Sequence, residues 1–193
     1  MAIVRRPQIY AAAARMIAEH GLAGATQDRI AEAAGLSRSH VRHYVGNREE
    51  MLAEVWRLTI EPHEAGIAAA ARSAAEEATL DPLLEQLFGP VMRRTQESVV
   101  IAAFRDSTLN DTELRAQVDA SYGSIAQTIA TALSAVAPHL PAETIGEVAY
   151  TWMCLGVGNS ALEDVPFDAA SSATARRGAL ALWEATNVRH AAR

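Results

Sequence analysis

The sequence predicts an all-α fold of about nine helices, in two parts: a small N-terminal domain over residues 1–47 and a larger helical domain over 48–193. Apolar residues recur with the 3.6-residue period of a helix along most of the chain. No stretch alternates apolar and polar residues as a half-buried strand would, and no Asn-Gly or Asp-Gly pair marks a hairpin. Cap and stop residues punctuate the periodic segments.

In the first helix Ile9, Ala13, Met16, Ile17 and His20 share a face, and Gly21 supplies the stop. Thr26 caps a short helix through Ala33, with Ile30 and Ala34 facing inward. Ser37 caps the next, roughly Arg38 to Tyr44, and Gly46 breaks the chain after it. Asn47-Arg48-Glu49-Glu50 reads as a capping box that opens a fourth helix, whose Met51, Leu52, Val55, Trp56 and Thr59 lie on one side. Pro62 is expected to kink or end this helix, although the Ala-rich stretch 65–78 has the propensity to carry it on.

Asp81-Pro82 is a cap followed by Pro at the first helical position. Leu83, Leu84, Leu87, Phe88, Val91 and Met92 then form an apolar stripe, interrupted by Gly89-Pro90. Val99–Phe104 reads as a short buried segment closed by Asn110-Asp111. Leu114, Val118, Tyr122, Ile125, Ile129, Leu133 and Val136 mark a long amphipathic helix ending before Pro138. Pro141 opens another through about Leu162, and Asp168 caps a last one reaching about Val188.

Composition removes several functions. No uninterrupted apolar run reaches bilayer length, which excludes a membrane partner, and the N-terminus lacks the long apolar stretch of a secretory signal. A cytoplasmic location is the expectation. Cys154 is the only cysteine, so neither an intrachain disulfide nor a thiolate metal cluster can form. Its apolar neighbours predict an inert, buried thiol. All 17 basic residues are Arg, which rules out a Schiff-base or P-loop lysine. Neither a His-x-x-x-His pair with a Glu nor a Gly-x-Ser-x-Gly elbow occurs. His40 and His43 lie one turn apart, but their cationic surroundings disfavour a metal. The expectation is no catalytic residue, no metal, no cofactor and no enzyme.

Charge is divided unevenly. Residues 1–48 hold seven Arg against Glu19, Asp28 and Glu32, a net +4, whereas residues 49–193 hold ten Arg against twenty acids, a net −10. Such asymmetry suits a small module that meets polyanions and a larger one that does not. In the cationic part Ile30, Ala31, Ala34, Gly35, Leu36 and Val41 have helix-turn-helix spacing: a small residue where the helices cross, Gly at the turn, and apolar plugs beneath the second helix. Arg38, Ser39, His40, Arg42 and His43 occupy its other faces. A helix of about two turns with those side chains fits the major groove of duplex DNA, where Arg pairs with guanine. Tyr44 and Arg48 fall where phosphates would be met, and the helix starts at Thr26-Gln27 and Asn47-Arg48 offer N–H groups to phosphate.

These residues carry a resemblance. From about Gln8 to Leu52 the chain resembles the DNA-binding domain of the TetR family of bacterial transcriptional regulators. The matching positions are Ile9, Ala12, Ala13, His20-Gly21, Ala25-Thr26, the run Ile30 to Ser37, His43-Tyr44, Arg48 and Met51-Leu52. Ser39 stands where many members have Gly, Arg42 where most have Tyr, and Val45 where Phe is common. Arg42 trades a ring hydroxyl for a five-donor fork, which alters base preference or adds a phosphate clamp.

The resemblance implies a homodimer bound to a double-stranded, palindromic DNA operator, with a larger domain that binds a small-molecule effector and thereby controls DNA affinity. The last two helices add support from the residues themselves. Val148, Ala149, Trp152, Met153 and Leu155 line one side of the first, Gly156, Gly158, Ser160 and Ala161 its other side, and Leu180, Leu182 and Trp183 stud the second. One monomer cannot bury every apolar side of both, so a second copy would form a four-helix interface. Phe88, Met92, Gln96, Phe104, Tyr122 and Trp152, with Thr95 and Asn159, are the candidate lining of an effector pocket for a mostly apolar molecule. Ligand would move the fourth helix and shift two recognition helices off the spacing of about 34–36 Å that successive major grooves require. The competing reading is an architectural DNA-binding protein without an effector.

Overall fold

The structure, a computed structural model, describes residues 2–89, 95–107, 112–162 and 171–191. Among these residues there are nine helices and no strand, as expected: α1 (Ala2–Gly24), α2 (Gln27–Ala33), α3 (Arg38–Val45), α4 (Arg48–Glu77), α5 (Asp81–Phe88), α6 (Gln96–Ser107), α7 (Thr112–Val136), α8 (Ala142–Ala161) and α9 (Ser171–Ala191). Val91, Met92, Asn110, Asp111 and Asp168 lie outside the described residues.

Local chemistry sets most helix ends. Gly21 interrupts α1 at φ 68°, ψ 173°, where the stop was expected. Thr26 caps α2 by accepting from the Arg29 N–H, and Ser37 caps α3 by accepting from the His40 N–H at 3.3 Å. Between them the N–H of Gly35 reaches the Glu32 carbonyl at 3.0 Å and that of Leu36 reaches Ala31 at 2.9 Å, the paired bonds that close a helix through a left-handed residue. Asn47 and Glu50 form the expected capping box: each backbone N–H donates to the other's side chain at 2.8 Å.

Pro62 neither ends nor divides α4, which runs 30 residues from Arg48 to Glu77. Pro62 and Leu58 are both exposed, so the Leu58 carbonyl that loses its helical donor can be hydrated. The helix stops instead at Ala78, left-handed at φ 53°, with the Thr79 N–H on the Ala74 carbonyl at 3.1 Å.

The chain divides into two compact units, Met1–Pro62 with Thr95–Ala120, and His63–Arg94 with Ser121–Arg193. In the first, α1 packs against α2, α3 and α6, and α2 against α3. Ile9, Ala13, Ile30, Val41, Met51 and Phe104 have no exposed surface, and the Trp56 and Phe104 rings lie 5.3 Å apart. His20, expected on the buried face, is exposed beside Glu19, just before the break in the helical path at Gly21.

In the second unit α8 packs on α9, and α5 on both. Trp152 is fully buried, donates from Nε1 to the Ala179 carbonyl at 3.1 Å, and meets Trp183 edge-on at 6.4 Å. Cys154 is exposed, contrary to the buried thiol expected. Two residues of helix turn the chain about 200°, so burying Trp152 and Gly156 faces Cys154 outward. Among the described residues no helix is long and apolar enough to cross a membrane.

Candidate nucleic-acid interface

The burial pattern of α3 follows from its sequence. Val41 and Val45, one turn apart, are buried against the rest of the first unit. Arg38, Ser39, His40, Arg42 and His43 are all exposed, and Tyr44 is half-buried with its ring edge-on to His43 at 5.3 Å. Two apolar anchors thus hold an eight-residue helix and leave five polar side chains in solvent.

Contacts distant in sequence fix this helix in place. Arg6 on α1 donates to the Tyr44 carbonyl at 2.8 Å, near the end of α3, where a cation also meets the negative end of the helix dipole. Gln8 and Arg15 donate to the carbonyls of Ala34 and Ala33, at 3.0 and 3.1 Å. Those carbonyls belong to the last turn of α2 and have no helical donor of their own. Arg48 reaches back to the Leu22 carbonyl at 2.5 Å and is half-buried. Thr26 is exposed and Gln27 half-buried at the start of α2. Arg38 forms an ion pair with Asp28.

All nine residues expected to meet DNA therefore sit in the first unit, at the cap of α2 or on it, on α3, or at the first residue of α4. Sequence reading missed Arg6, Gln8, Arg15 and Asp28, whose partners lie 38, 26, 18 and 10 residues away. No periodicity links such positions. The available hint was their polar character on helices whose opposite faces are apolar. Among the described residues no group of three His, Cys, Asp or Glu could hold a metal. Chemically, the exposed face of α3 presents guanidinium, imidazole and hydroxyl groups, the set that reads base edges and phosphates.

The residues expected around an effector are dispersed. Phe104 belongs to the core of the first unit, and Phe88 and Trp152 to that of the second. Gln96 is exposed at the start of α6, Tyr122 is half-buried on α7, and Met92 lies outside the described residues. Thr95 caps α6, accepting from the Ser98 N–H at 3.2 Å, and Asn159 donates to Ser172 at 3.1 Å. The second unit carries an open groove of about 450 Å³ between α4 and α7, lined by Ala71, Arg72, Ser124, Thr128 and Ala132 among others. Phe88, Thr95, Gln96, Phe104, Tyr122, Trp152 and Asn159 are not among its lining residues.

The model of the tetR family of bacterial regulatory proteins matches residues 9–55, the segment that holds α2, the turn and α3. Over that segment the chain is similar to the tetR family of bacterial regulatory proteins. Over 57 residues the chain is 44% identical to the HTH-type transcriptional regulator PksA of Bacillus subtilis (strain 168). That match covers 30% of this chain and spans 28% of the regulator's length. Its fold is shared with a TetR transcription regulator from Haloarcula marismortui ATCC 43049, at TM-score 0.78 and 20% identity over 94% of this chain and 97% of that one. A transcriptional regulator from Saccharomonospora viridis, solved in complex with choline, matches at TM-score 0.71 and 18% identity over 93% and 95% of the two chains. At these identities the likeness is one of fold.

Proposed function

We propose that this chain is a transcriptional repressor that binds a palindromic duplex operator as a homodimer and is released by a small, mostly apolar molecule. One observation carries the reading: α3 buries Val41 and Val45 and turns Arg38, Ser39, His40, Arg42 and His43 outward. That is the disposition a major-groove reader needs. Thr26, Gln27, Tyr44 and Arg48 would meet the flanking phosphates. Residues 1–47 would act as the DNA-binding domain and 48–193 as the effector and dimerisation domain, in the cytoplasm.

Exposed apolar side chains on and beside the last two helices support pairing of two copies. Tyr150 is 68% exposed, Leu162 48%, Leu180 37% and Val188 70%. Effector control is supported by the groove of the second unit and by the unbroken α4, which begins at the capping box and carries part of the groove lining on its later turns. The Saccharomonospora viridis regulator, whose fold is shared, was solved with a small organic cation, choline.

The test is enrichment of duplexes from a random library by the purified full chain, with the mass of free and bound protein measured by light scattering. A palindromic consensus bound by two chains is expected. Failure to enrich any sequence at low salt would remove the reading, and a monomer on an asymmetric site would remove the dimer.

A further inference from the structure

Asp28 stands in the first turn of α2, two residues after the Thr26 cap, where the positive end of the helix dipole favours a carboxylate. Its two oxygens take Nε and Nη2 of Arg38, the first residue of α3. The two helices of the helix-turn-helix are thereby joined by a side-on carboxylate–guanidinium pair. Both side chains remain open to solvent, 71% exposed for Arg38 and 51% for Asp28. An ion pair so exposed adds little to stability. Its effect falls on where the guanidinium points and what charge it shows.

A guanidinium has five donors in a rigid plane. Side-on pairing occupies one edge and leaves Nη1 and the outer hydrogen of Nη2, the end-on pair that the O6 and N7 acceptors of guanine accept. The side chain of Arg42, the other arginine of α3, makes no hydrogen bond or ion pair among the described residues, and its carbonyl accepts from the Gly46 N–H. We infer that Asp28 is a positioning residue for base readout: it aims the Arg38 fork at one guanine and cancels the charge by which Arg38 would otherwise grip any phosphate. Asp28 thus raises specificity while lowering sequence-independent affinity. This rests on the DNA-binding reading above.

The experiment compares the full-length chain with Asp28→Asn, Asp28→Glu, Arg38→Gln and the Asp28→Asn/Arg38→Gln double variant. Each is put through the random-library enrichment. Its affinity for the wild-type consensus and for a scrambled duplex is then measured by fluorescence anisotropy across salt concentration. Asp28→Asn is expected to bind the scrambled duplex more tightly, with a salt slope steeper by about 0.9 for the one cation set free. Its consensus-to-scrambled ratio should fall about five- to thirtyfold, with the guanine preference relaxed at a single base pair per half-site. Asp28→Glu should keep that guanine, and the double variant should match Arg38→Gln, because the two side chains act as one unit. Melting curves establish that each variant is folded, and Asp28→Ser, of which the same changes are expected, carries the test if Asp28→Asn is not. An unchanged ratio and an unchanged guanine preference in Asp28→Asn, with wild type discriminating normally, would overturn the inference alone. A wild-type chain that enriches nothing would overturn the DNA-binding reading and this inference with it.

Discussion

Gly46 closes α3 at φ 78°, ψ −149°, a backbone region open almost only to glycine. Another residue held there loses about 1–3 kcal/mol. A methyl group at this position would also run into the Glu50 carboxylate, which accepts the Asn47 N–H at 2.8 Å in the box that opens α4. Displacing that bond adds about 0.5–1.5 kcal/mol, so Gly46→Ala should destabilise by about 2–4 kcal/mol. Gly21 is the internal control. It has φ 68°, ψ 173° with nothing within 4 Å of a built methyl, so Gly21→Ala carries the backbone loss alone. Urea unfolding of the full chain, followed by circular dichroism, measures both. Gly46→Ala should exceed Gly21→Ala by about 1 kcal/mol, and the excess should vanish when both are made in a Glu50→Ala background. A Gly46→Ala chain within about 0.5 kcal/mol of wild type, or an excess that persists without Glu50, would refute the reasoning.

Arg42→Ala should weaken binding to the selected operator about five- to hundredfold in anisotropy titrations, while the melting midpoint stays put, since Arg42 is exposed and makes no contact that a fold depends on. Trp152→Phe removes the buried Nε1–Ala179 bond of 3.1 Å and should lower stability by about 1–3 kcal/mol in urea; an unchanged midpoint would contradict it. Burial pulls His63 below its ordinary value of 6.5, so the native chain resists its protonation. Stability should therefore be complete above that value and decline as pH falls below it, because the unfolded chain binds the proton more readily. Urea midpoints at neutral and mildly acidic pH, for wild type and His63→Asn, check this: the variant should show the shallower decline.

Where a residue's role is fixed by neighbours within one turn, the sequence was legible. Thr26, Ser37 and the Asn47–Glu50 box act as caps because their side chains reach N–H groups three residues on. Pro138 and Pro141 bracket the gap between α7 and α8 for the same local reason. Ile30, Ala31, Ala34 and Val41 are buried as their spacing implied. Residues whose role depends on distant chain were not legible. Phe88, Phe104 and Trp152 suit a ligand wall or a core equally well by composition, and packing made them core. Cys154 is exposed despite its apolar neighbours, because neighbours in sequence are not neighbours in space on a helix.

By itself, then, the sequence determined the helical class, most helix ends, the helix-turn-helix and the cationic face of α3, since each follows from local hydrogen bonding, periodicity or charge. Tertiary structure alone decided that α4 passes Pro62, that Arg6 and Arg48 serve backbone carbonyls, and that Arg38 shares its fork with Asp28. Those outcomes depend on which surfaces and carbonyls meet after the helices pack, and that meeting leaves no periodic mark along the chain.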